Sequence, residues 1–184
     1  MFFFDAPLYA LLNAAADTPA WRIALASLLS EWVPDTAGLA LLAGFIWGNS
    51  AVRRSLGLLV LSMVVAWCIT RLIRWGFPTL RPYDLDIGIR WIEHSGRSSF
   101  PSMHATGAFA LAQAITLGAT RHYRLWVGLA WTAAAVLGLS RIYLGVHFPS
   151  DVLAGMAVGC LSAWMVFAIH RNLQRQRGLA ANAS

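Results

Sequence analysis

The stretch Val-Leu-Ala-Gly-Met-Ala-Val-Gly-Cys-Leu-Ser-Ala-Trp-Met-Val-Phe-Ala-Ile, residues 152–169, contains no charged side chain. Four similar stretches occur in this chain of 184 residues, at 36–52, 55–70, 105–120 and 125–140. Each is slightly shorter than the ~20 residues that cross a hydrocarbon core, but flanking Arg and His side chains can extend to the membrane surface. Because a spanning backbone must satisfy its own hydrogen bonds and no alternation is visible, the stretches are predicted to be α-helices.

Two segments near the N-terminus are less clear. Residues 19–33 are predicted to form a short or tilted span that ends near Pro34, because Arg22 and Glu31 interrupt the apolar run. Residues 6–16 are predicted to lie at the interface or to dip into the membrane. The predicted fold is therefore all-α, a polytopic membrane bundle of five to six transmembrane helices that forms one domain over 1–184.

The composition agrees with a membrane protein. Hydrophobic residues make up 58% of the chain and charged residues 12%, against about 25% charged in soluble domains. The net charge of +6 does not predict nucleic-acid binding, because the arginines are scattered among apolar runs and form no basic patch. Cys68 and Cys160 lie within apolar runs and are interpreted as small buried hydrophobic residues.

The distribution of arginine predicts the orientation. Three basic clusters are expected on the cytoplasmic side; they are Arg53 with Arg54, Arg121 with Arg124, and Arg171 with Arg175 and Arg177. Residues 76–102 and 144–150 then lie together on the outer face. The first of these segments is also expected to form a short surface helix or lid around Leu85 to His94.

His147 and Asp151 are candidate reactive residues in the second outer segment. Pro149 and Ser150 indicate a helix start, with Ser150 as the cap. The spacing of four residues lets the Asp151 carboxylate reach the imidazole and orient it, so that the other ring nitrogen becomes a better nucleophile. A helix cap beside an interfacial histidine would explain the same pattern.

His104 follows Pro101 and Ser102 in the first turn of another predicted helix. Such a turn offers backbone N–H groups and the positive end of the helix dipole to an anion. A histidine there can protonate a leaving oxygen, although a capping role for the segment is also expected.

Three arginines border these segments, namely Arg74, Arg81 and Arg141. Guanidinium groups suit bidentate contact with phosphate oxygens. Arg74 can also be interpreted as an interfacial side chain, and Arg71 on the same side of the helix can take its place.

The chain resembles the type-2 phosphatidic acid phosphatases, a family that includes the vanadium haloperoxidases. The family motifs run Lys-x6-Arg-Pro, Pro-Ser-Gly-His and Ser-Arg-x5-His-x3-Asp. They match Arg74-x6-Arg81-Pro82, Pro101-Ser102-Met103-His104 and Ser140-Arg141-x5-His147-x3-Asp151, in order, over 74–151. The chain departs from the motifs at Arg74, which replaces Lys, and at Met103, which replaces Gly.

The resemblance implies a role for each matching residue. His147 would attack phosphorus and form a phosphohistidine, with Asp151 orienting it. His104 would protonate the leaving group and then activate water. The phosphoryl oxygens would be held by Arg74, Arg81, Ser102 and Arg141. No metal or other cofactor is implied, and the sequence offers no carboxylate cluster for one.

A site at the outer membrane edge favours a lipid phosphate or diphosphate as substrate. Chain length, Leu11-Leu12-Asn13 and residues 141–147 resemble the small bacterial undecaprenyl-diphosphate phosphatases, which implies an enzyme of the bacterial inner membrane whose site faces the periplasm or exterior. Phosphatidylglycerophosphate or phosphatidic acid phosphatase and lipid A phosphotransferase remain alternatives. A small transporter is a further alternative, although the ionisable residues collect at one membrane face. The sequence does not set the oligomeric state.

Overall fold

A computed structural model describes residues 2–93, 98–118 and 124–181. These residues form six α-helices and one 3-10 helix at Pro82–Leu85; the α-helices are α1 (Asp5–Leu12), α2 (Ala20–Trp47), α3 (Ser50–Gly76), α4 (Met103–Gly118), α5 (Arg124–Tyr143) and α6 (Pro149–Ala181). α4 lies at the centre, against α3, α5 and α6, while α2 packs on α5 and α3. The prediction of an all-α helix bundle is confirmed.

The long helices have the character of membrane spans. By length and composition alone, three of the described helices are suited to cross a membrane: α3, α5 and α6. Their outward faces carry large apolar side chains, such as Leu72, Leu125 and Leu161, each more than 60% exposed. Such surfaces require lipid rather than water around them, and the chain is accordingly a membrane protein.

The predicted helix break at Pro34 is wrong. α2 continues through Pro34 and ends at Trp47, so it joins the doubtful segment 19–33 to most of the stretch 36–52. Pro34 lacks the N–H that would bond the Ser30 carbonyl, and the helix continues through this one missing bond. The real break follows at Gly48 and Asn49, where the Asn49 side chain accepts the Val52 N–H and caps α3.

The segment between α3 and α4 also differs from its prediction. Pro82–Leu85 is a 3-10 helix, and residues 86–93 have no regular helix, so the expected surface helix over Leu85 to His94 is wrong for the described residues. His94 itself lies outside them. Asp86 adopts a left-handed conformation, φ 55°, which ends the 3-10 helix after one turn.

α1 is short. Its eight residues extend about 12 Å, far less than a bilayer core. It packs against α5 and α6, and Tyr9 is buried beside Phe148, with ring centroids 5.5 Å apart. The N-terminal segment therefore forms a short helix that packs onto the bundle.

The three motif segments meet at one end of the bundle. α3 and α5 end there, and α4 and α6 begin there. At the opposite end the Arg171 guanidinium donates to the Leu117 carbonyl near the end of α4. Arg53, Arg54 and Arg124 lie at that opposite end too, near the start of α3 and α5, whereas Arg121 is outside the described residues.

Close packing of α4 on α6 depends on two glycines, as their GxxxG spacing indicates. A Cβ added at Gly159 would lie 2.5 Å from the Thr106 carbonyl oxygen, and one at Gly155 would lie 2.8 Å from that of Ser102. These contacts are with backbone and cannot be relieved by a side-chain rotation. The two glycines therefore set how close the helices that carry His104 and Asp151 can lie.

We predict that Gly159→Ala lowers thermal stability, by about 1–3 kcal/mol, because the added methyl overpacks the helix contact. The matched control is Gly57→Ala in α3, where a Cβ would meet nothing within 4 Å. Thermal unfolding in detergent measures both. Equal stability of the two variants would contradict the packing argument.

Candidate active site

His147 lies in the tight turn between α5 and α6 and is fully buried. Its Nδ1 is 3.2 Å from Asp151 Oδ2, and its Nε2 faces Arg81 Nη1 at 3.5 Å. The turn depends on Gly145 at φ 81°, where a Cβ would lie 2.0 Å from the Ile89 carbonyl oxygen. The predicted pair of His147 and Asp151 is therefore present. The imidazole Nδ1 faces the Asp151 carboxylate, and Nε2 faces the Arg81 guanidinium.

The expected capping by Ser150 is wrong. α6 begins at Pro149, and the side chain that reaches back is that of Asp151, whose Oδ2 accepts the Phe148 N–H at 2.8 Å. The Ser150 hydroxyl instead donates to Asp5 Oδ2 at 2.8 Å, and the Ser150 N–H to Asp5 Oδ1 at 2.9 Å. Asp151 thus orients His147 and closes the first turn of its own helix.

Ser99 is a site residue that the sequence analysis missed. Its hydroxyl donates to Asp151 Oδ2 at 2.5 Å and lies 3.4 Å from His147 Nδ1. It is fully buried. The available signal was its position three residues before Ser102, in the same motif segment, but a serine there has many ordinary explanations.

Arg81 and Arg74 link the motif segments through backbone carbonyls. Arg81 is fully buried and donates to the Val146 carbonyl at 2.8 Å and the Ser98 carbonyl at 3.1 Å. Arg74 donates to the Pro101 carbonyl at 2.9 Å and the Ser99 carbonyl at 3.3 Å. Both guanidinium groups are therefore fixed before any substrate arrives.

Arg71 does not take the place of Arg74. Its guanidinium lies over the Trp67 ring, 5.5 Å from the centroid, and the side chain is exposed. Arg141 approaches from α5, buried, and its Nη1 donates to the Ser30 hydroxyl of α2 at 2.6 Å. Three arginines therefore converge on the site, as expected, and the fourth faces away from it.

Ser102 lies at the start of α4 and is fully buried. Its N–H donates to the Asp151 carbonyl at 2.9 Å, but its hydroxyl has no hydrogen-bond partner in the described part of the chain. It does not cap α4, so the expected capping role is wrong here too. A buried hydroxyl without a partner is unusual in a folded protein, and this one is available to a bound ligand. His104, two residues on, lies at the end of a cavity that Met103 also lines.

Burial and charge act together on His147. Loss of solvent lowers the pKa of His147 well below 6.5, and the neighbouring Arg81, Arg141 and Arg74 lower it further, as does His104. Burial also lowers the pKa of Arg81. The imidazole is thus held neutral, which is the form in which a ring nitrogen has a lone pair to attack with. Three guanidinium groups against one carboxylate leave an excess of positive charge suited to a phosphate.

The N-terminal segment holds the loops around the site. The Asn13 side chain donates to the Ile89 and Tyr143 carbonyls, at 3.0 and 3.1 Å, and accepts the Ile89 N–H at 2.8 Å. Trp91 Nε1 donates to the Ala14 carbonyl at 3.0 Å. Together with the Asp5–Ser150 contacts, these bonds join the N-terminal segment to the α3–α4 connection and to the α5–α6 region.

The described residues were also compared with the ligand sets that metal ions require. Across residues 2–93, 98–118 and 124–181, no three His, Cys, Asp or Glu side chains are grouped so that they could hold a metal ion. Metal independence stays a prediction.

Comparison with known proteins agrees with this arrangement. The chain is 34% identical to the putative undecaprenyl-diphosphatase YbjG of Escherichia coli, over 91% of this chain and 86% of that one. It is 28% identical to the undecaprenyl-diphosphatase BcrC of Bacillus subtilis, over 76% and 70%. The crystal structure of LpxE from Aquifex aeolicus has the same fold, with a TM-score of 0.76 at 22% identity over 91% of this chain and 96% of that one. The family model of the PAP2 superfamily matches residues 55–175, which include every motif residue described above, and the chain is a membrane phosphatase that belongs to this superfamily.

Proposed function

We propose that the protein hydrolyses undecaprenyl diphosphate to undecaprenyl phosphate and inorganic phosphate, in recycling of the lipid carrier of cell-wall synthesis. The observation that carries the chemistry is the buried His147–Asp151 pair beneath three arginines. The choice of lipid is supported by the names of the relatives with which the chain shares most of its length. We place the enzyme in the bacterial inner membrane with its site facing outward.

The first step is a transfer of phosphate to the enzyme. His147 Nε2 attacks the terminal phosphorus, and the bond between that phosphorus and the bridging oxygen breaks. His104 gives its proton to the departing oxygen of undecaprenyl phosphate. A phosphate anion bound beside His104 favours the protonated imidazole that this step requires. Asp151 stabilises the positive charge that develops on His147.

The second step returns the enzyme to its starting state. His104, now neutral, takes a proton from water as the water oxygen attacks phosphorus. The bond between Nε2 and phosphorus breaks and phosphate departs. Arg74, Arg81, Arg141 and the Ser102 hydroxyl hold the equatorial oxygens through both steps, so the enzyme contributes mainly position and charge, as phosphoryl transfer requires.

We predict that the purified enzyme releases phosphate faster from undecaprenyl diphosphate than from phosphatidic acid or phosphatidylglycerophosphate in detergent. His147→Ala should reduce the rate by ~10³-fold or more, because a residue that makes the covalent bond is removed. His170→Ala, on the distant half of α6, is the matched control. Release close to wild type from a folded His147→Ala protein would exclude the nucleophile, and a preference for phosphatidylglycerophosphate would reassign the substrate.

The role of Ser99 can be tested by comparing alanine substitutions of Ser99 and of its neighbour Ser98. We predict that Ser99→Ala lowers kcat by about 10–100-fold with little change in KM. The substitution removes a hydrogen bond that holds Asp151, which orients His147, and it removes no contact with the substrate. Ser98→Ala is the control, since the Ser98 hydroxyl contacts Thr79 and not Asp151. Equal losses in the two variants would show only a general effect on the loop.

The outward orientation is testable by labelling. In a protein with Cys68 and Cys160 replaced by alanine, a cysteine at Leu85 should react with an impermeant maleimide in cells whose outer barrier is permeabilised. Both Leu85 and the second test position, Gln174, are exposed. A cysteine at Gln174 should react only after the inner membrane is broken. The reverse pattern would place the site in the cytoplasm and rule out recycling of an outward-facing carrier.

A further inference from the structure

An apolar cavity of about 560 Å³ begins at the candidate active site and runs into the bundle between α2, α4 and α5. His104 and Met103 lie at its outer end, and Ile115 and Trp126 lie at its far end. Its lining is almost entirely apolar, with Thr36 and His104 as the polar side chains. A cavity continuous with a phosphate site but itself apolar is suited to the hydrocarbon part of the same ligand.

The cavity extends along most of α4. His104 and Ile115 are eleven residues apart on α4, a distance of about 16 Å along the helix. A chain attached to a phosphate beside His104 can therefore extend about 16 Å along this cavity, towards the opposite end of the bundle.

A second apolar cavity, of about 380 Å³, lies beside the first one, between α2, α3 and the first turns of α4. Val60, Val64 and Trp67 line it on the α3 side. Three residues line both cavities: Met63, Met103 and Gly107. A Cβ at Gly107 would meet nothing within 4 Å, so among the three the methionine side chains supply the bulk of the shared wall.

Met103 is also where this chain departs from the Pro-Ser-Gly-His pattern. A glycine at this position would leave the shared wall without its outer side chain, directly before His104. The thioether of methionine is unbranched and apolar and fills such irregular spaces well. The substitution thus places bulk at the point where a lipid with two chains would have to divide between the cavities.

We propose that Met103 is a specificity-determining residue that separates the two cavities, so that the site takes lipid phosphates with one hydrocarbon chain and disfavours those with two. This inference rests on the proposed function only in that a lipid phosphate binds beside His104. A polyprenyl diphosphate has one chain, whereas a glycerophospholipid has two.

The test compares two substrates with the same phosphate group, lysophosphatidic acid with one chain and phosphatidic acid with two, in mixed micelles. We expect wild type to prefer lysophosphatidic acid in kcat/KM by about tenfold or more, a ratio that apolar pockets can achieve. Met103→Gly and Met103→Ala should reduce that preference by about tenfold, whereas Met103→Leu, which restores bulk, should retain it.

Two further variants control the comparison. Met63→Ala removes the other methionine of the shared wall and should shift the preference in the same direction, which keeps the test open if Met103→Gly folds poorly. Met165→Ala, at a partly exposed position of α6 outside both cavities, should leave the preference unchanged. A preference that stays within about twofold of wild type in Met103→Gly and Met63→Ala would overturn the proposal, since removal of a wall must alter discrimination.

The outcome separates this inference from the choice of undecaprenyl diphosphate. If wild type is inactive on undecaprenyl diphosphate but its chain-number preference falls in the Met103 variants, the role of Met103 stands and the polyprenyl assignment fails. If undecaprenyl diphosphate is hydrolysed and the preference does not move, the proposed function stands and Met103 has no part in selectivity.

Discussion

One carboxylate oxygen joins the parts of the site. Asp151 Oδ2 lies within hydrogen-bond distance of His147 Nδ1, the Phe148 N–H and the Ser99 hydroxyl. His147 and Phe148 lie in the α5–α6 turn, and Ser99 lies in the segment before α4. Because the site is buried, each of these donors would be costly to leave without a partner. A single charged group therefore fixes the orientation of the histidine and the relation of two motif segments at once.

The arginines depend on that arrangement. Three guanidinium groups and one carboxylate in a buried site would be unfavourable without local compensation, and the carbonyls of Val146, Ser98, Ser99 and Pro101 supply part of it for Arg81 and Arg74. Substrate phosphate would supply the rest. The site is thus preorganised around an anion, and the N-terminal contacts of Asp5 and Asn13 hold the surrounding loops in place.

Sequence predicted the helical bundle and the convergence of the motif residues, because long uncharged runs and the spacing of His147 and Asp151 are local signals. It predicted local caps less well. Ser102 and Ser150 have the residue type and position of caps, but Asp5 binds Ser150 from 145 positions away, and Asp151 reaches back to Phe148. Such long-range partners override a local preference. The same holds for Ser99, whose partner Asp151 is 52 positions distant.

The helix break was misplaced for a related reason. Pro34 follows an apolar run that Arg22 and Glu31 interrupt, a pattern that indicates a helix end, yet α2 packs along α5 and α3 and continues through it. In a membrane bundle a proline is tolerated where side chains and neighbouring helices compensate for the lost hydrogen bond. Asn49 was the stronger signal, since an asparagine after a glycine both ends one helix and caps the next.

The most direct test is whether phosphate becomes attached to His147 during turnover. The enzyme would be mixed, in the presence of EDTA, with undecaprenyl diphosphate labelled in its terminal phosphate, then quenched rapidly in alkali and digested. We predict that peptide mass spectrometry finds the label on His147 in the wild-type enzyme. The His147→Ala variant should carry no labelled histidine. Continued turnover with no labelled histidine, or with the label on His104, would contradict the account.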